Sequence, residues 1–97
     1  MFSNVYIIGD ITDAVSVRTQ NKFNEAQNKL ENLNIRVFNP IDPYLVGSVS
    51  KEEAKKYNLK RLLSANAVYV LNDLEVPKNN VEIFIAIKLN LIIMHEF

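Results

Sequence analysis

The 97 residues contain no cysteine, no tryptophan, one histidine and only two glycines. The missing cysteines exclude disulfide staples, thiol catalysis and thiolate-ligated metals. With His95 as the lone imidazole, a multi-histidine metal site within one chain is excluded too. No cofactor and no metal are expected. An excess of charge of either sign is also lacking. Eleven basic and eleven acidic side chains give a formal net charge of zero, so nothing points to a nucleic acid polymer or an anionic membrane surface. The apolar runs are far shorter than the roughly 20 residues that cross a bilayer. Met1-Phe2-Ser3-Asn4 leads straight into a strand pattern, without the charged-then-apolar order of a leader. A cytoplasmic location away from membranes is the expectation. Gly9-Asp10-Ile11-Thr12 matches neither the dinucleotide fingerprint nor the P-loop, so a glycine-rich phosphate cradle is missing as well.

What is present is a 48% hydrophobic composition, enough for one modest core and hence a single domain over residues 1–97. Val5 to Ile8 reads as a buried strand ended by Gly9-Asp10. A helical pattern follows, with Val17, Phe23, Ala26, Leu30 and Leu33 on its apolar face, and Asn34 takes the place of a left-handed cap. Ile35 to Phe38 is a second strand, closed by Pro40 and Pro43. The irregular stretch from Asp42 to Ser50, with Gly47 and Ser48, is a candidate lid. Ser50 and Glu53 fit a capping box for a helix from Lys51 to Ser64 that buries Ala54, Tyr57, Leu59, Leu62 and Leu63. Its basic residues up to Arg61 read as a solvated face. Ala67 to Leu71 is a third strand, a helix opens at Val81 and ends near Asn90, and Leu91 to Met94 is a fourth strand.

This βαβαβαβ order predicts an α/β fold of three layers, with a four-stranded parallel sheet in the order 2-1-3-4, Rossmann/flavodoxin-like. The switch point between the first and third strands gathers Gly9, Asp10, Asn39 to Asp42, Asn72, Asp73 and the start of the last helix around one crevice. Glu82, in the first turn of that helix, is the first carboxylate to suspect of chemistry, although position alone favours a Glu that does no more than complement the helix dipole. Gly9 marks either a tight turn or the close approach of a ligand. Asp10 and Asp73 allow the thought of a phosphorylated receiver, but the partner acids and strand-end lysine are missing. A tyrosine with carboxylates and amides suits recognition of hydroxyls and an oxocarbenium-like centre.

VYIIGDIT, NKFNEAQNKLENLNIRVFNPID, YNLKRLLSANAVYVL and VEIFIAIKLNL together resemble the nucleoside 2-deoxyribosyltransferase-like superfamily, in particular its short uncharacterised members. The most specific pieces are Tyr6, Gly9, Phe23, Leu30, Val37, Asn39-Pro40, and Glu82 with Ala86. The resemblance implies that Glu82 is the nucleophile toward an anomeric carbon and that Tyr6 helps to hold it. Gly9, Asp10, Asn39, Asn58, Asp73 and Asn80 are the candidate substrate-binding residues. Two departures stand out. Asn58 and Asn66 occupy positions where related sequences carry Asp, and the loop that normally has a tryptophan or acid, a serine and a glycine here reads Leu74-Glu75-Val76-Pro77-Lys78-Asn79-Asn80, one residue shorter. An amide cannot act as a general acid, a role that typically contributes about a hundredfold or more.

Three functions remain open on this basis: a nucleoside- or nucleotide-handling enzyme of the N-glycosidic bond with a depleted acid set, a binding module without turnover, and a purely structural or oligomeric protein. The amides at 58 and 66 favour the second over the first, and turnover is expected to be low or absent. The partner is a small nucleoside or nucleotide. A homodimer or higher homo-oligomer is expected, because Ile83 to Ile87 is apolar on nearly every side of its helix.

Overall fold

A computed structural model describes residues 4–11, 13, 16–72 and 80–96. The element order is β1 (Asn4–Ile8), α1 (Val17–Glu31), β2 (Arg36–Phe38), a 3-10 turn (Asp42–Leu45), α2 (Lys51–Leu63), β3 (Ala67–Val70), α3 (Val81–Lys88) and β4 (Ile92–His95). The strands form one parallel sheet in the order β2-β1-β3-β4. This is the expected α/β fold and strand order.

Side-chain alternation along the two central strands divides the core. Val5 and Ile7 of β1, with Ala67 and Tyr69 of β3, pack with Phe23, Ala26 and Leu30 of α1. Tyr6 and Ile8, with Val68 and Val70, face the other way onto Leu62 of α2 and Ala86 of α3. Right-handed crossovers explain the split, since α1 connects β1 outward to β2 whereas α2 and α3 carry the chain back across the sheet. No described helix is long and apolar enough to cross a membrane.

Local chemistry sets the boundaries. Ser16 caps α1 by accepting the N–H of Thr19 at 3.1 Å, and Ser50 caps α2 by accepting that of Glu53 at 3.1 Å. The Glu53 carboxylate meets the Ser50 hydroxyl at 3.3 Å. Asn34 and Asn90 both adopt left-handed backbone, with φ of 61° and 55°, just past α1 and α3.

The helix faces differ from expectation. Val17 and Leu33 are 73% and 63% exposed, because they flank the ends of α1 where the sheet no longer lies beneath. On α2 the buried residues are Ala54, Asn58 and Leu62, one per turn, while Tyr57, Leu59 and Leu63 are exposed. The stretch read as a lid begins as an anchored turn: Ile41 and Pro43 are buried, and Ile41 joins the α1-side core.

Candidate functional site

Tyr6 is fully buried in the middle of β1, and its hydroxyl donates to Oε2 of Glu82 at 2.5 Å. The position of Glu82 is set by Asn80, whose Oδ1 accepts the N–H groups of Glu82 at 2.8 Å and Ile83 at 3.2 Å. That cap fixes where α3 starts, and the carboxylate leaves its first turn toward β1. Burial raises the Glu82 pKa above its ordinary 4.5, while the hydrogen bond from Tyr6 pulls it back down. Burial, then the charge of Glu82 and the bond to it, push the Tyr6 phenol far above its usual range. Tyr6 is therefore a donor at any ordinary pH. Tyr44 of the 3-10 turn is raised by burial and then by the charge of Glu82, so a second phenol lies in the field of the same carboxylate. Among the described residues the Oε1 atom of Glu82 has no hydrogen-bond partner. One carboxylate oxygen is held and the other is open, an arrangement suited to nucleophilic attack or proton acceptance.

Beside this pair lies a cleft of about 220 Å³, lined by Tyr6, Arg36 to Asn39, Asp42, Tyr57, Asn58 and Arg61. It exists because β2 is a three-residue edge strand. Phe38 is in register with Tyr6, so Arg36 and Phe38 project to the α2 side of the sheet. The facing wall is a single turn of α2. There the Arg61 guanidinium lies 4.7 Å from the Tyr57 ring centre and 5.3 Å from that of Phe38, and its Nη2 donates to the Tyr57 hydroxyl at 2.8 Å. Tyr6 joins the two halves of the site, its ring bordering the cleft and its hydroxyl holding Glu82. Among the described residues Glu82 itself is not part of the cleft wall.

The other residues singled out from sequence fall into three groups. Asn39 and Asn58 line the cleft, but both are tied to the scaffold. Asn39 Nδ2 donates to Gln27 at 2.9 Å and Asn24 at 3.3 Å, while its Oδ1 accepts the N–H of Ile41 at 3.2 Å. Asn58 is 4% exposed, and its Nδ2 donates to the Pro40 carbonyl at 2.9 Å. Gly9 and Asn80 have local roles. A Cβ on Gly9 would come within 2.8 Å of both Leu71 Cδ1 and Phe23 Cζ, so core packing accounts for this glycine. Asn80 is the α3 cap. Asp10 is half-buried after β1 and does not border the cleft, and Asp73 lies outside the described residues. Asn66 stands just before β3, at the amino-terminal end of the two central strands and away from their carboxyl ends, where its Oδ1 accepts the N–H of Asn4. Its amide therefore has no bearing on the crevice, and only Asn58 does.

Arg36, Tyr44, Tyr57 and Arg61 went unread as site residues in the sequence, and Asp42 was placed at the crevice only as the end of the stretch from Asn39. Arg61 is not on a solvated face but half-buried in the cleft wall. The available signals were the i,i+4 spacing of Tyr57 and Arg61 on one helix face and the i,i+2 spacing of Arg36 and Phe38 on one strand face.

The fold is similar to a solved structure described as a 2-deoxyribosyltransferase from the psychrotolerant bacterium Bacillus psychrosaccharolyticus. The TM-score is 0.75 over 96% of this chain and 71% of that one, at 17% identity. At that identity the likeness is one of fold. No curated protein matches the sequence. Residues 3–95 match the family model described as a domain of unknown function, DUF4406, and the chain belongs to that family.

Proposed function

We propose that this protein binds a nucleoside or nucleotide and acts on its N-glycosidic bond, with Glu82 as the nucleophile. The observation that carries this reading is the part-buried hydrogen bond from Tyr6 to Glu82 at the start of α3, which holds one carboxylate oxygen and leaves the other without a partner among the described residues. In the step proposed, a Glu82 oxygen forms a bond to the anomeric carbon as the bond from that carbon to the base nitrogen breaks. The electron pair leaves with the base, which takes up a proton. A second base or water then attacks the same carbon and releases Glu82, as in a retaining mechanism. Asp42 is the one carboxyl among the described residues that line the cleft; partial desolvation raises its pKa although the residue is exposed, and it is assigned as the source of that proton. The structural neighbour is described as a 2-deoxyribosyltransferase, an activity of the same class, which supports the reading.

A second reading is a module that binds the ligand without turnover. Asn58 favours it, because a neutral amide spent on a backbone carbonyl stands where the family resemblance implies an acid. Chromatographic detection of free base from deoxynucleosides and their 5′-monophosphates, with wild type and Glu82→Gln side by side, decides between them. Glu82-dependent release supports the enzyme, and binding without release supports the module. We further infer a homodimer in the cytoplasm, formed through the exposed apolar side of α3.

A further inference from the structure

We propose that the cleft between β2 and α2 is an oxyanion subsite in which Arg36 and Arg61 take a phosphate or carboxylate group of the ligand. The reading of Glu82 above supplies the place of the sugar, and this assignment rests on it for nothing else. The cleft wall contains two guanidinium groups against one carboxyl, Asp42. Neither Arg36 nor Arg61 makes an ion pair with a described residue. Two cations without an ion-pair partner among the described residues line one concave surface, which favours an anion there.

Arg61 is also oriented in advance. Its guanidinium is held against the rings of Tyr57 and Phe38, and one N–H is fixed on the Tyr57 hydroxyl. The remaining donors keep the planar fork that matches an oxyanion in two-point contact, a geometry an ammonium cannot offer. Size agrees with the assignment. About 220 Å³ is below the roughly 300–1,000 Å³ of pockets that enclose a drug-sized ligand, so the cleft accepts one part of a ligand and leaves the rest toward Tyr6 and Glu82.

The alternative is that Arg61 only covers apolar surface with its stem and rings. Calorimetric titration of the full chain with thymidine, thymidine 5′-monophosphate, inorganic phosphate and orotate separates the two. The monophosphate is expected to bind about tenfold or more tightly than thymidine, by an advantage that shrinks as salt is added. Arg36→Gln and Arg61→Gln should each remove most of that advantage. Arg36 is exposed, so its variant tests the site without a folding cost, and Arg61→Lys, which keeps the charge but loses the fork, should recover only part. Competition by inorganic phosphate identifies a phosphate as the group recognised, and competition by orotate identifies a carboxylate.

Equal affinity for thymidine and its monophosphate, or a preference that survives both glutamine variants, overturns the subsite. Arginine-dependent binding of the monophosphate in a protein that releases no base upholds the subsite and removes the glycosidic reading instead.

Discussion

Asn58 donates its side-chain amide to the carbonyl oxygen of Pro40 at 2.9 Å, tying the middle of α2 to the loop that leaves β2. A carboxylate at this position has no proton to give and would face the carbonyl as an anion. Asn58→Asp is therefore not a simple restoration of a missing acid. It should destabilise the fold at pH 7 by about 1–3 kcal/mol, the cost of a buried polar group left without its partner. The introduced carboxyl would have a raised folded-state pKa, so its penalty is absent below the ordinary aspartate value of about 3.9 and grows as pH rises past it. Urea denaturation at pH 7 and near pH 4 checks this, and a deficit that does not shrink in acid contradicts it.

Glu82 should show a related pH signature. Its folded-state pKa lies above the ordinary 4.5 because the carboxylate is buried. The stability it contributes is fully present below that value and is lost as pH rises through the raised pKa. Glu82→Gln keeps an oxygen to accept from Tyr6 and carries no charge. The variant should be more stable than wild type at pH 7, with the gap closing below pH 4.5. Denaturation of both proteins across that range measures the difference directly.

Gly9 separates packing from ligand approach. Its missing Cβ makes room for Leu71 and Phe23, so Gly9→Ala should cost about 1–3 kcal/mol through overpacking. In a domain of this size each 1 kcal/mol lowers Tm by roughly 4–8 °C. Ligand affinity measured well below the new Tm should be unchanged. A loss of affinity with normal stability would instead put Gly9 against the ligand.

Val81, Phe84 and Ile87 form an exposed stripe along α3, and Phe84 is 58% exposed. A second copy covering this face predicts twice the 11.1 kDa chain mass in light scattering. Phe84→Glu should give the single-chain mass, since a carboxylate in an apolar contact carries a large desolvation cost. A wild-type protein that is monomeric at high micromolar concentration removes the dimer.

The sheet order was legible because Val5 to Ile8 and Ala67 to Val70 are short runs without polar interruption, as central parallel strands require. The pairing of Tyr6 with Glu82 was implied by the family resemblance, and the switch point only requires that strand one and the last helix lie near each other. The cleft was not legible. Its cationic wall depends on how far α2 overhangs β2, which spacing alone does not state, and Arg61 looks like any other basic residue of a surface helix. The apolar positions of α2 misled in the same way, because Asn58 rather than Tyr57 or Leu59 faces inward. Amides also hid their work: Asn39, Asn58 and Asn80 all lie near the crevice, yet each is occupied in holding the backbone in place.

The central claim is that Glu82, held by Tyr6, attacks the anomeric carbon. The most direct measurement is the rate of free-base release from thymidine and thymidine 5′-monophosphate by wild type, Glu82→Gln and Tyr6→Phe as a function of pH. Wild type should release base slowly, with an acidic limb above pH 4.5, where the raised Glu82 pKa places it. Tyr6→Phe removes the bond that lowers that pKa, so its acidic limb should move further up, and Glu82→Gln should show no release. Release that persists in Glu82→Gln, or none from wild type with either substrate, would contradict the claim.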